Sequence, residues 1–323
     1  MAAHETSYTS FTRYLAAKKS VDDRALNQHV WDSLQQCLRE RDDQAQAPLA
    51  VVEIGGGTGA MVERALARGL FSTAHYTLVD AMPANIAAAS EQLPVWAATH
   101  GFHMEGSAEP ATYRITGGGA WRSDLTLRLE AADCFDFAAQ SARQRQHDLL
   151  IAHAFLDLVD TPRALQRLHP LLRPDALLYL TINFDGATLL EPVVDAAFDA
   201  LIETLYHETM DRRVVNGQPS GDSRTGRHLF AHLRRAGVEV LDAGSSDWVV
   251  FAGSRGYPVD EAYFLHFIIE TIHGALRHHA ALDQERFAAW VQTRHAQIER
   301  GELVYIAHQL DFLGRINVEL PLL

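Results

Sequence analysis

Lysine is almost missing from this chain: Lys18 and Lys19, side by side, are the only two. With 28 basic residues against 41 acidic ones and a formal net charge of −13, the clustered positive charge that grips a phosphate backbone is lacking, and no nucleic-acid partner is expected. Cysteine is equally scarce. Cys37 and Cys134 stand in unlike contexts, which excludes a disulfide framework and the paired spacing of a zinc site. Uninterrupted apolar runs of membrane length are lacking too. The opening MAAHETSYTSFTRYLAAKKS has no apolar segment behind a basic start, so neither a membrane span nor a secretory signal is expected, and the expected compartment is the cytoplasm. The alanine- and arginine-heavy composition points to a GC-rich bacterial source.

What is present is a long, core-forming chain. Its 323 residues and 47% hydrophobic content suffice for one large α/β domain with additions. Phe11 to Arg41 reads as one helix, with Val30, Leu34, Cys37 and Leu38 at helical spacing, so residues 1–47 are expected to form a helical cap. LAVVEIG then reads as a buried strand, GAMVERALARGL as a helix closed by Gly69, and HYTLVDA as a second strand. Residues 101–131, with glycines at 117, 118 and 119, predict a β-hairpin insertion ending in a strand. HDLLIAHAFLDLV and ALLYLTINFDG are further strands with a helix between, which predicts a parallel sheet with helical crossovers. Glu191-Pro192 is read as opening a helix that reaches Arg213, within a lid-like insertion at 185–224. VEVLDAGSSDWVVFAG is read as a closing hairpin. Residues 257–323, including ELVYIAHQLDFLGRI, are read as a C-terminal helical extension.

The most informative stretch is VVEIGGGTGAM, Val51 to Met61. Gly55, Gly57 and Ala60 satisfy the G-x-G-x-x-(G/A) spacing of nicotinamide and flavin sites, while Gly55, Gly57 and Gly59 satisfy Gly-x-Gly-x-Gly. Glycines there let the backbone turn sharply against a ligand, and the helix start that follows favours an anionic group such as a pyrophosphate or an amino-acid carboxylate. Glu53 separates the two readings: it is an acceptor for a cationic amino group, which a methionine moiety has and a dinucleotide lacks.

Together these residues resemble the class I S-adenosylmethionine (SAM)-dependent methyltransferases. Glu53 to Gly59 matches that family's acidic-x-Gly-x-Gly-x-Gly motif, Asp80 ends the second strand, and Ala132-Asp133-Cys134-Phe135 ends the third. The resemblance covers roughly residues 48 to 255 and implies a Rossmann-like α/β fold, with a seven-stranded, mostly parallel sheet, a reversed last strand, and helical additions at both ends. The SAM domain is placed at 48–256. The resemblance implies SAM as cofactor and S-adenosylhomocysteine as product, with Glu53, Gly55, Gly57, Gly59, Asp80, Ala81, Asp133, Cys134 and His153 at the cofactor. Asp80 also reads as a helix cap, and Asp136 rivals Asp133.

In open α/β sheets the ligand lies beyond the carboxyl ends of the strands. His153 is therefore a candidate base or acceptor contact, His207 a weaker catalytic candidate, and Phe155, Asn183, Tyr206 and His207 candidate substrate contacts. The loop HAFL lacks the Asn/Asp-Pro-Pro-aromatic signature of nucleic-acid amino-methylating enzymes, so the expected acceptor is a small molecule methylated on O or N. The alternatives are an NAD(P)-dependent oxidoreductase and a non-catalytic SAM-fold protein acting through a partner. Tyr14 and Arg24 are placed near the methionine end by analogy. His266, Glu270 and His273, and separately His228 and His232, share helical faces. The first trio lies opposite the apolar stripe and is expected at solvent or an interface, so no metal is expected. The helical additions also offer a surface for a homodimer.

Overall fold

The computed structural model describes residues 8–42, 47–109, 111–118, 122–215 and 217–317. The leader forms two helices rather than one, α1 (Phe11–Ala25) and α2 (Gln28–Asp42). The break has a local cause. Leu26 leaves the helical region at ψ 124°, and the Asn27 side chain accepts from the Val30 N–H at 3.1 Å, starting the second helix as an N-cap.

Next come β1 (Leu49–Ile54), α3 (Ala60–Ala67), β2 (Thr73–Asp80) and α4 (Pro83–Thr99). In the expected hairpin region, β3 (Phe102–Gly106) and β4 (Thr112–Gly117) pair antiparallel, and β4 pairs antiparallel with β5 (Ser123–Ala131), itself parallel to β2. Gly119, expected in this insertion, lies outside the described residues. After α5 (Cys134–Ala139), β6 (His147–His153) and α6 (Thr161–Leu168), the strand β7 (Leu172–Glu191) runs on to Glu191. Glu191-Pro192 therefore ends a strand instead of opening a helix. The helix α7 (Ala196–Asp211) starts only at Asp195, whose side chain caps the Phe198 N–H at 2.9 Å. A two-residue pair, β8 (Val214–Val215) and β9 (Gln218–Pro219), leads to α8 (Thr225–Arg235), β10 (Val238–Ser245), β11 (Trp248–Val250), α9 (Glu261–Leu276), α10 (Gln284–Glu299) and β12 (Val304–Ile316).

Two expectations about the last third need correction. The segment Val304–Ile316 is a strand, not a helix, and its buried residues Tyr305, Ala307, Gln309 and Asp311 recur with period two. Moreover, β10 and β11 do not pair with each other as a hairpin. Both lie along β12, paired with successive parts of it. The sheet order is β10-β12-β7-β6-β1-β2-β5-β4-β3, and β12 is antiparallel to both β7 and β10. The reversed last strand is thus β12, and residues 257–303 are an excursion before it rather than a terminal extension.

Apolar cores fill both sheet faces. Trp31, Leu34, Met61, Leu78 and Leu93 pack on one, and Phe137, Leu150, Leu165, Leu229 and Phe312 on the other. A third core, built from Val21, Phe198, Phe264, Ile269 and Trp290, ties α1, α7, α9 and α10 together. Each fully buried large apolar side chain contributes roughly 1.5–3 kcal/mol, so these four helices are held to the fold by apolar packing.

Candidate functional site

The carboxyl ends of β1, β2, β6 and β7 open into one cavity of about 640 Å³, in the size range of small-molecule sites. Four distant elements close it. The leader helix α1 brings Tyr14, Lys18 and Asp22; α7 and α9 bring Tyr206 and Phe267; β12 brings Tyr305.

One end is the glycine loop. Gly55 and Gly57 hold φ of +69° and +56°, a region costly for any residue with a Cβ. A Cβ on Gly55 would lie 2.6 Å from the Phe155 ring, and one on Gly57 would project toward Leu15 at 3.5 Å. The loop is held from β2: the Gly57 N–H donates to Asp80 Oδ2 at 2.9 Å, while Asp80 Oδ1 accepts from the Met82 N–H at 2.8 Å and from Asn85 Nδ2 at 3.0 Å. Oδ2 keeps a further lone pair, and Asp80, Ala81, Met82 and Asn85 all line the cavity, so a ribose fits this edge. Glu53 is buried against the loop and accepts from the Tyr76 hydroxyl at 2.8 Å. Burial pushes its carboxyl up to about 8, against the pull of that hydrogen bond and of Arg64, with Asp80 adding repulsion. A buried acid waiting for a cation and a backbone cradle without Cβ atoms suit an amino-acid-bearing nucleoside.

His153 also lines the cavity, but it is not a free base. Its Nδ1 lies 2.8 Å from the Thr181 hydroxyl and its Nε2 3.0 Å from Asp22 Oδ2. A neutral ring donating from Nε2 to Asp22 leaves Nδ1 to accept from Thr181. Burial holds the imidazole down to about 4; Asp22 opposes this, while Arg64 and Lys18 add to it. Asp22 collects Lys18 Nζ at 2.6 Å and Trp248 Nε1 at 2.9 Å, with Arg64 Nη2 at 3.6 Å. Burial alone would raise Asp22, but Lys18, His153 and Arg64 outweigh it and hold its carboxyl well below the usual range. This network ties α1 to α3, β6 and β11.

The other expected residues divide. Phe155 and Tyr206 line the cavity, as does Tyr14. Asn183 does not; its amide donates to the carbonyls of Leu180 and Leu310 at 3.0 and 2.8 Å, joining β7 to β12, while its neighbours Ile182 and Phe184 face the cavity. The kink responsible is Ile182 at φ +56°, whose N–H donates to the buried Asp311 at 2.7 Å. His207 lies behind the wall, 3.0 Å from Thr188 Oγ1 and edge-on to Phe184. Asp133 is exposed and caps α5 through the N–H groups of Phe135 and Asp136, and Cys134 is buried in the core below; neither lines the cavity. Arg24 is placed away from the cavity lining, paired with Glu261 at 2.8 Å, where it fastens α1 to α9.

Of the trio expected at solvent or an interface, Glu270 and His273 stay partly exposed, whereas His266 is covered. His266 is buried between Tyr8, stacked at 4.1 Å, and His295, whose Nδ1 is 2.7 Å from its own; His295 in turn meets Glu270 at 2.9 Å. The leader and α10 cover what the helix pattern alone leaves bare. Asp222, His228 and His232 bring three donor atoms within 4.8 Å of one another outside the cavity. Sequence reasoning missed Lys18, Asp22, Arg213, Trp248 and Tyr305 as cavity residues; no local pattern marks them, because distant segments bring them together. Among the described residues, no helix is long and apolar enough to cross a membrane.

A family model described as a methyltransferase domain matches residues 23–208. No curated protein matches the chain. Solved structures that it resembles include a putative type II methyltransferase from Anaeromyxobacter dehalogenans, at 18% identity over 88% of this chain and 96% of that one, with a TM-score of 0.44. A SAM-dependent methyltransferase from Methanosarcina mazei is 13% identical over 86% of this chain and 97% of that one, with a TM-score of 0.42. The [4+2]-cyclase SpnF is 16% identical over 95% and 94%, with a TM-score of 0.42.

Proposed function

Because this chain belongs to the methyltransferase-domain family and is a SAM-dependent methyltransferase, we propose that its acceptor is an oxygen or nitrogen atom of a small molecule enclosed in the cavity. One observation carries this reading: the space beyond the glycine loop is continuous with a chamber roofed by α1, α7 and α9 and walled by Phe155, Phe184, Tyr206 and Tyr305. A walled chamber suits an acceptor that it can surround, not a protein surface or a duplex.

When bound, SAM supplies an electrophilic methyl group. The protein's task is to hold a nucleophile in line with that methyl and to keep water out. On this reading Gly55, Gly57 and Glu53 cradle the methionine portion, Asp80 takes a ribose hydroxyl on Oδ2, and Ala81 and Met82 flank the base. His153 acts as a positioning residue, fixing the β6 end to α1 through Asp22. Nothing in this family membership supports the nicotinamide alternative.

The test follows a labelled methyl group from SAM into a cell extract incubated with the purified protein. Label should appear in the low-molecular-weight fraction. Label found only in protein or nucleic acid would overturn the enclosed-acceptor reading, and titration with S-adenosylhomocysteine confirms separately that the cofactor site is intact.

A further inference from the structure

The acceptor side of the cavity holds two opposite charges that feel each other's field but form no ion pair. Arg213 and Asp157 both line it, but among the described residues no acid lies within ion-pair distance of Arg213, and its guanidinium has no hydrogen-bond partner; the nearby Asp157 Oδ1 is buried and unpartnered. Both are held in place by backbone. The Ser220 N–H donates to the Arg213 carbonyl at 2.8 Å, and the Ser220 hydroxyl donates to the carbonyl of Leu158, next to Asp157. Gly221, at φ +97°, packs beneath them so closely that a Cβ would lie 3.1 Å from the Asp157 carbonyl oxygen and 3.4 Å from the Arg213 guanidinium carbon.

The rest of the lining makes Arg213 distinctive. The other permanent cation in the cavity wall, Lys18, is spent on Asp22 at 2.6 Å. Among the acids, Asp22 is paired, Glu53 accepts from Tyr76, and Asp80 holds the glycine loop. A half-buried guanidinium beside Tyr206 and Met210 loses hydration without gaining a partner, a cost the fold retains only where a ligand meets it. A planar fork of N–H donors suits a carboxylate or comparable oxyanion better than any neutral group. Asp157 feels that charge without forming an ion pair with it, and its Oδ1 remains free to accept from a neutral donor.

We propose that the methyl acceptor is a small organic acid with an apolar, ring-sized body, its anionic group docked on Arg213 and its body against Tyr206 and Tyr305. This rests on the enclosed-acceptor reading above and adds the substrate class.

The experiment titrates the S-adenosylhomocysteine-loaded protein with benzoate, benzyl alcohol and benzylamine, three probes of one shape and different charge. Benzoate should bind about tenfold or more tightly than benzyl alcohol. Arg213→Gln should reduce benzoate to the level of benzyl alcohol while leaving S-adenosylhomocysteine affinity unchanged, and Asp157→Asn should keep or raise benzoate affinity. Benzylamine as the tightest probe, benzoate unaffected by Arg213→Gln, or benzoate lost equally in Asp157→Asn would each overturn the proposal. Binding of the alcohol or amine without benzoate sinks the acid class alone. Failure of all three probes with S-adenosylhomocysteine still bound sinks the enclosed-acceptor reading as well.

Discussion

Glu53 offers the sharpest test of the cofactor site. Its carboxyl is buried, and burial holds it up to about 8, so near pH 7 the ligand-free protein carries it about nine-tenths protonated. The ammonium of SAM, brought against it, favours the carboxylate, and the proton must leave. Binding at pH 7 should therefore release about 0.9 proton. If the bound carboxyl stays ionised throughout, affinity rises about thirtyfold from pH 5.5 to pH 7, or ~2 kcal/mol. That window avoids the ligand's own amine, which loses its proton near pH 8 as α-amino groups do, and His153, which titrates near 4. The sign for stability is opposite. A carboxyl raised above its unfolded value keeps a proton that the unfolded chain releases, so its contribution is present below about 4.5 and is lost as pH rises toward 8. The assay is titration calorimetry with SAM in buffers of low and high ionisation enthalpy, on wild type and Glu53→Gln. A buffer-independent enthalpy, or a pH slope that survives in Glu53→Gln, would refute the reasoning.

Other predictions follow from the same geometry. His153, held near 4, refuses a proton that an unfolded histidine accepts below about 6.5; its own contribution to stability should fall by about 2 kcal/mol between pH 7 and pH 5, opposite in sign to that of Glu53, and is read as the difference between the urea-denaturation pH profiles of wild type and His153→Gln. Asp22→Asn leaves Lys18 and Arg64 facing each other in a buried site, and should cost about 3–5 kcal/mol in the same denaturation assay; an effect below ~1 kcal/mol would show the network to be dispensable. Gly55→Ala combines a positive φ with a Cβ 2.6 Å from the Phe155 ring, so SAM affinity should fall by at least about tenfold in calorimetry while Gly253→Ala, with open space around it, binds normally.

The sequence alone determined the nucleotide-binding half of this protein, because each of its parts is a local backbone requirement. Strand β1, three glycines and a helix start must occur consecutively for the loop to form, and Asp80 must end the next strand to reach Gly57. The antiparallel pairing of β4 with β5 on either side of the glycine run was legible for the same reason, whereas that of β3 with β4 was not read. Tertiary structure decided the rest. Period two in Tyr305, Ala307, Gln309 and Asp311 was there to read, yet only pairing with β7 and β10 shows that this segment completes the sheet. Asn27 meets Asp311 across 284 residues, and Asp22 meets His153 across 131; no short-range pattern encodes such contacts. Burial then reassigns chemistry: the histidine that a strand-end position offers as a base becomes a neutral strut once α1 brings Asp22 to it. The unpaired Arg213 acquires its proposed meaning only when the turn after β9 and the loop after β6 hold it at the cavity wall, because a guanidinium on an open loop is merely solvated, whereas one facing a walled cavity suits an anion.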